Sequence, residues 1–233
     1  MKTKIIKFIL LSLTGCTPIA SWAEDMEITA TYTNTKGVME SKTDNFTEEA
    51  PLHVTFTTNV SALDAGATIE WHFTHQGKDG VTRVTRYEES TEYDFRDAGD
   101  TEVKVRAMLG NEPIDSGAIV ITISDSHLEM PNAFSPNNDL INDYYQAKEN
   151  HKSIVEFHAY IFNRWGQKLY EWTDYINEKS GWDGTFHGSP VKDGVYFVVV
   201  KARGADGREY NIRRDVNLIR RYNNLTNSTE GQE

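Results

Sequence analysis

The residues best suited to chemistry fall in short clusters. Asp139, Asn142 and Asp143 crowd oxygen-bearing side chains into one loop, the ligand type that Ca²⁺ prefers. The same oxygens can instead accept backbone N–H bonds inside the loop, and that use is preferred here. Asp183 and Asp193 stand beside glycines, yet spacing fixes no third carboxylate or histidine near them. His72 and His75 have zinc-ligand chemistry, but on an extended strand residues three apart point to opposite faces. No G-x-S-x-G, H-E-x-x-H or P-loop pattern occurs. The pairs Arg213-Arg214 and Arg220-Arg221 offer a positive edge that a partner protein can grip, or plain solvated charge. Tyr144, Tyr145 and Trp172 suit a core or its rim better than a sugar platform. No catalytic residue, metal or cofactor is assigned, and no enzyme activity is expected.

These clusters need elements to hold them, and the 233-residue chain first sheds a leader. Residues 1–23 read as an export signal: three lysines before Phe8, an apolar run to Leu13, then Ser21-Trp22-Ala23. The apolar run is far too short to span a membrane. Leu13-Thr14-Gly15-Cys16 also fits a lipoprotein cleavage box, so Cys16 is a possible lipidation site. Cys16 is the single cysteine, so no intramolecular disulfide can form. Charge is uneven. Residues 24–126 hold 20 acids against 8 Lys and Arg, net −12, while 127–222 hold 13 of each. A nucleic-acid partner is therefore not expected, because it requires a basic face.

Period-two alternation recurs from Glu24 onward, broken by Gly, Asn and Asp. Strands are expected at Met26–Tyr32, His53–Thr57, Thr68–Phe73, Val81–Tyr87, Glu102–Met108 and Ala118–Ser124. That spacing predicts a β-sandwich over residues 24–126. In the second half, Ile154–Phe162 is expected as a strand with Val155, Phe157, Ala159 and Ile161 on one face. Val195–Ala202 is apolar on both faces, the pattern of a strand covered on both sides. Residues 223–233 are polar and expected to form a disordered tail.

Two resemblances sharpen this picture. Glu70-Trp71-His72-Phe73, followed by Tyr93 to Val105, resembles the W-x-F strand and ending of PKD domains, immunoglobulin-like modules of exported proteins. The acidic turn usual after that strand is missing, since Thr74-His75-Gln76-Gly77 stands there. In the second half, PNAFSPNNDLINDYY, IFNRWGQKLYE, GWDGTFHG, VKDGVYFVVVKARG and DVNLIR follow in order. They resemble the C-terminal domains read by the type IX secretion system, in the gliding-motility-associated form. The resemblance implies an immunoglobulin-like β-sandwich over 130–222 that serves as an address for export. It implies partners in the translocon or its shuttle proteins, among them a PorP-like outer-membrane protein. It also implies passage through the periplasm to the outer membrane, cell surface or medium. One departure stands out: the loop Pro136 to Asp143 lacks the family's glycines, so Leu140 occupies a position that favours glycine.

In this light Trp165, Gly166, Trp182, Asp183, Gly184, Asp193, Gly194 and Tyr196 are expected to be a fold signature rather than a reaction centre. The expected chain is all-β, two immunoglobulin-like sandwiches in tandem. Its expected role is non-enzymatic, at the surface or within the secretion machinery as a signalling component. The alternative is a surface adhesin or glycan-binding module, for which a row of exposed aromatics on one sheet of the first half would be the sign.

Overall fold

The computed structural model describes residues 26–59, 66–177 and 179–220. The expected export leader 1–23 with Cys16, Arg221 and the expected tail 223–233 lie outside the described residues.

Among the described residues the protein is all-β. The first half pairs two sheets. One runs β2 (Met39–Lys42), β1 (Ile28–Thr33), β4 (Leu52–Thr58), β7 (Thr91–Phe95). The other runs β3 (Phe46–Glu48), β9 (Glu112–Ile123), β8 (Gly99–Leu109), β5 (Thr68–Gly77), β6 (Gly80–Arg86). Alternation decides which side chains face in. Leu52, Val54 and Phe56 of β4 are buried, while His53 between the first two and Thr57 after Phe56 face water. Trp71 and Phe73, two apart on β5, point the same way and meet Phe56 at ring separations of 6.1 and 5.6 Å. The Trp71 Nε1–H donates to the Glu88 carbonyl at 2.9 Å, so its one polar atom is satisfied.

The second half has one five-stranded sheet: β10 (Ala133–Phe134), β16 (Glu209–Leu218), β15 (Gly194–Gly204), β11 (Ile154–Phe162), β12 (Lys168–Trp172). Opposite it lie the hairpin of β13 (Thr185–Phe186) with β14 (Ser189–Pro190) and the irregular stretch around Met130 and Tyr145. The core between holds Phe134, Tyr145, Trp172, Trp182 and the inward side of β15.

Two local readings from the sequence need correction. The pairing of β11 with β15 shifts register between Ile154 and Glu156. The extra residue of such a bulge turns a side chain to the other side. Ile154 therefore joins Phe157 in the second core, while Val155 packs into the first. The second correction concerns β15, which is central but covered on one side only: Val195 is 50% exposed and Phe197 41%.

Candidate functional site

The stretch from Gly181 to Val200 builds one end of the second core. Trp182 is fully buried, with Phe134 and Tyr196 ring centroids 5.3 and 5.0 Å away. Its indole N–H donates to the Thr185 carbonyl at 2.7 Å. Trp182 and Tyr145 exchange backbone bonds of 2.8 and 3.1 Å, and a Cβ on Gly181 would lie 2.4 Å from the Tyr145 carbonyl oxygen. Asp183 Oδ1 accepts from the Thr185 amide and hydroxyl at 2.9 and 2.8 Å, an Asx-type turn. Gly184 has φ +77° and presses against the Arg220 side chain. The Tyr196 hydroxyl donates to the Lys192 carbonyl at 2.6 Å. Asp193 precedes Gly194 and takes the Arg220 amide on Oδ2 at 3.0 Å and its guanidinium on Oδ1 at 3.1 Å.

Arg220 thus acts as a clasp. Its guanidinium also donates to the carbonyls of Gly184, at 2.7 Å, and of Val191. Arg214 is likewise engaged, donating to the Met130 carbonyl at 2.6 Å. Arg213 stands exposed, opposite Val199 in the β15–β16 register. The described arginines therefore serve different duties and do not line up as one positive edge.

The loop after Pro136 spends its carboxylates on its own backbone. Asp143 accepts from the amides of Asn137, Asn138 and Leu140 at 2.9, 2.7 and 2.9 Å. Asp139 Oδ1 accepts from the Ile141 amide at 2.9 Å. Asn138, Leu140 and Asn142 adopt φ of +63°, +68° and +55°. Leu140 is 94% exposed. Among the described residues no group of three or more His, Cys, Asp or Glu side chains is arranged to hold a metal. His72 contacts Glu70 and Thr85, while His75 turns to the buried Thr101 at 2.9 Å, so the two sit on opposite faces of β5.

Trp165 departs from its expected structural part: it is 76% exposed. Asn163 builds the turn instead, its Oδ1 accepting the amides of Trp165 and Gln167 at 3.0 Å each. Gly166 takes φ +79° there, and the Arg164 guanidinium covers one face of the Trp165 ring at 4.5 Å. Tyr145 and Trp172 are buried, and burial pushes the Tyr145 hydroxyl well above its ordinary range.

What the sequence did not mark is the outward face of the five-stranded sheet. Val195, Phe197 and Val199 of β15 alternate outward, opposite Phe162 and Tyr160 of β11. Trp165 and Lys168 flank this strip, the lysine ammonium lying 5.6 Å from the Tyr160 ring centre. Lys168 and His158 both bond Glu171, and the lysine bond, with the histidine's help, holds that carboxyl below its usual range. A groove of about 550 Å³ opens beside the strip, lined by Trp165, Leu169, Val195 and Phe197 among others. The signal for it lies in the uninterrupted apolar run of β15, a pattern that a strand covered on both faces shares.

Residues 128–213 match the family model described as CHU_C, the type IX secretion signal domain. No curated protein matches the chain. Similar solved structures include the chicken CNTN1 FN1–FN3 domains, at 10% identity and a TM-score of 0.32, covering 78% of this chain and 70% of that one. Another is the SGBP-B protein of a Bacteroides ovatus mixed-linkage glucan utilization locus, in complex with a mixed-linkage heptasaccharide, at 13% identity and a TM-score of 0.21. It covers 76% of this chain and 43% of that one. Over residues 128–213, the greater part of its second half, the chain is similar to the type IX secretion signal domain family.

Proposed function

We propose that the chain is an exported, non-enzymatic protein whose second half docks on the type IX translocon or a shuttle protein through the outward face of β15 and β11. A type IX secretion signal implies interaction with that machinery and export across the envelope to the surface. The match over residues 128–213 is the observation that carries the reading. The face fits the task because exposed Phe197 and Trp165 beside Tyr160 supply the aromatic side chains in which interface centres are rich. In this reading residues 1–23 are an export leader that delivers the chain to the periplasm. Residues 24–126 are an acidic first domain, 130–222 the secretion domain, and 223–233 a polar tail. An acidic sandwich beside the signal supports a surface or machinery-associated signalling role of the PorA type, with a PorP-like outer-membrane protein as partner.

The glycan-binding alternative receives less support. Among the described residues, the one large aromatic side chain of the first half that stands exposed is Tyr87, and one ring makes no row.

The test is the double variant Val195→Glu with Phe197→Glu. Both positions face water, so folding should be retained while the docking strip gains two charges. In a bacterium with a working type IX system, the variant should remain in the periplasm with an unchanged unfolding midpoint. Surface display at the unsubstituted level would refute the docking face.

A further inference from the structure

The first core is not complete within the first half. Val155 and Ala205, 9% and 5% exposed, both belong to it, although each lies on the second half's chain. The Ala205 carbonyl accepts from the Ala98 amide at 3.0 Å, so a turn of one half is bonded to a loop of the other. Ser153 binds in three directions. It is fully buried, with φ +49°. Its Oγ accepts from the Ala50 amide at 3.3 Å and meets the Ser124 hydroxyl at 3.0 Å, while its carbonyl accepts from Ala205 at 2.9 Å.

The connecting segment is bonded along its length. The Ser124 amide donates to the Glu48 carbonyl at 3.0 Å. The buried Ser126 hydroxyl donates to Asp206 Oδ1 at 2.6 Å and meets the Tyr210 hydroxyl at 2.9 Å. His127 and Lys152 exchange two backbone bonds of 3.0 Å. Approach is so close that a Cβ on Gly204 would lie 2.0 Å from Ser126 Oγ.

We propose that this junction makes the two halves one cooperative folding unit, so that the secretion domain is a permanent part of the exported protein rather than a label cut off at the linker. Parting the halves would leave Val155 and Ala205 without their apolar neighbours and the buried Ser153 and Ala50 polar groups without partners. A protease needs a pliable, exposed stretch, and the segment 124–132 is mostly buried or half-buried and is bonded to the first half at Ser124 and to the second at Ser126, His127, Glu129 and Met130. The inference does not depend on which surface the machinery reads.

The test uses the purified full chain. Hydrogen exchange is followed across a denaturant series, comparing amides of Val54 and Phe56 in β4 with those of Val198 and Val200 in β15. Protection in both strands is expected to vanish at one denaturant concentration, and protease in native buffer should leave the 124–132 segment uncut. Two separate midpoints, or native-state cleavage releasing folded halves, would overturn the proposal. Val155→Asp should split the midpoints; a variant that folds with them still coincident would also overturn it. Ser126→Ala is the milder companion, needed if Val155→Asp does not fold. It should speed protease cleavage of the linker at least several-fold, and an unchanged rate counts against the junction.

Discussion

Arg220 and Leu140 show how single side chains shape the second half in opposite senses. Arg220 sends its guanidinium to two carbonyls and one carboxylate, and its amide to the same carboxylate. Bonds of this kind contribute about 1.5–3 kcal/mol each when one partner is charged, and they are not additive. Replacing Arg220 by Met keeps much of the stem and removes the donors, leaving the Val191 carbonyl without this partner and the Gly184 carbonyl with the Val191 amide alone. A loss of about 2–4 kcal/mol in unfolding free energy is expected, measured by denaturant titration. Leu140 is strained rather than anchored. Its φ is +68° and its side chain stands in water, so packing returns little for the strain. A left-handed backbone costs a residue with a Cβ about 1–2 kcal/mol, and glycine escapes most of this while losing more chain entropy on folding. Leu140→Gly should therefore raise stability by about 0.5–1 kcal/mol, seen as a higher thermal midpoint.

At the scale of elements, the junction carries a pH dependence that follows from Asp206. Burial pushes its carboxyl up, but the bonds from the Ser126 hydroxyl and the Arg208 amide outweigh this and leave it below its ordinary value of 3.8. The Arg208 guanidinium lies 3.8 Å from Asp206 Oδ2, and the Tyr210 hydroxyl meets the same Ser126 hydroxyl that bonds Asp206. A carboxyl lowered by folding adds stability above its unfolded value and loses it as pH falls through the folded one. Linker protection should thus weaken below about pH 4, and Asp206→Asn should flatten that part of the profile. Protease susceptibility against pH is the measurement. Much of this scale was legible in the residues. Ile154–Phe162 emerges with the expected bounds, because alternation with β-branched and aromatic residues is a strong signal. Met39–Lys42 and Phe46–Glu48 were not legible, since MESK and FTE are short and their strand form comes from neighbours they pair with. The side on which Val155 falls was not legible either, because a bulge is set by the partner strand's register and by Ala205 in the turn beyond it. The turn chemistry of Asp183 with Thr185 was readable because an Asx turn is local, whereas the Arg220 clasp joins positions distant in sequence.

The whole molecule brings together an acidic first half, net −12 over residues 24–126, and a second half with equal numbers of each charge over 127–222. Two modes of docking follow from such a body, and they differ in their response to salt. A grip on an arginine edge relies on long-range attraction, which is screened once ions bring the Debye length to about 8 Å or less. That grip is weakened in advance here, because Arg214 and Arg220 are already committed to internal carbonyls. Docking on Val195, Phe197 and Val199 relies on removing apolar area from water, which salt weakens little. Capture of the machinery from outer-membrane extract by the immobilised full chain should therefore change less than about threefold between 50 and 300 mM NaCl. It should also fall to background for the Val195→Glu, Phe197→Glu variant at both salt concentrations. A steep loss of capture with salt, with that variant still binding in dilute buffer, would move the docking surface from the apolar strip to the cations around Arg213.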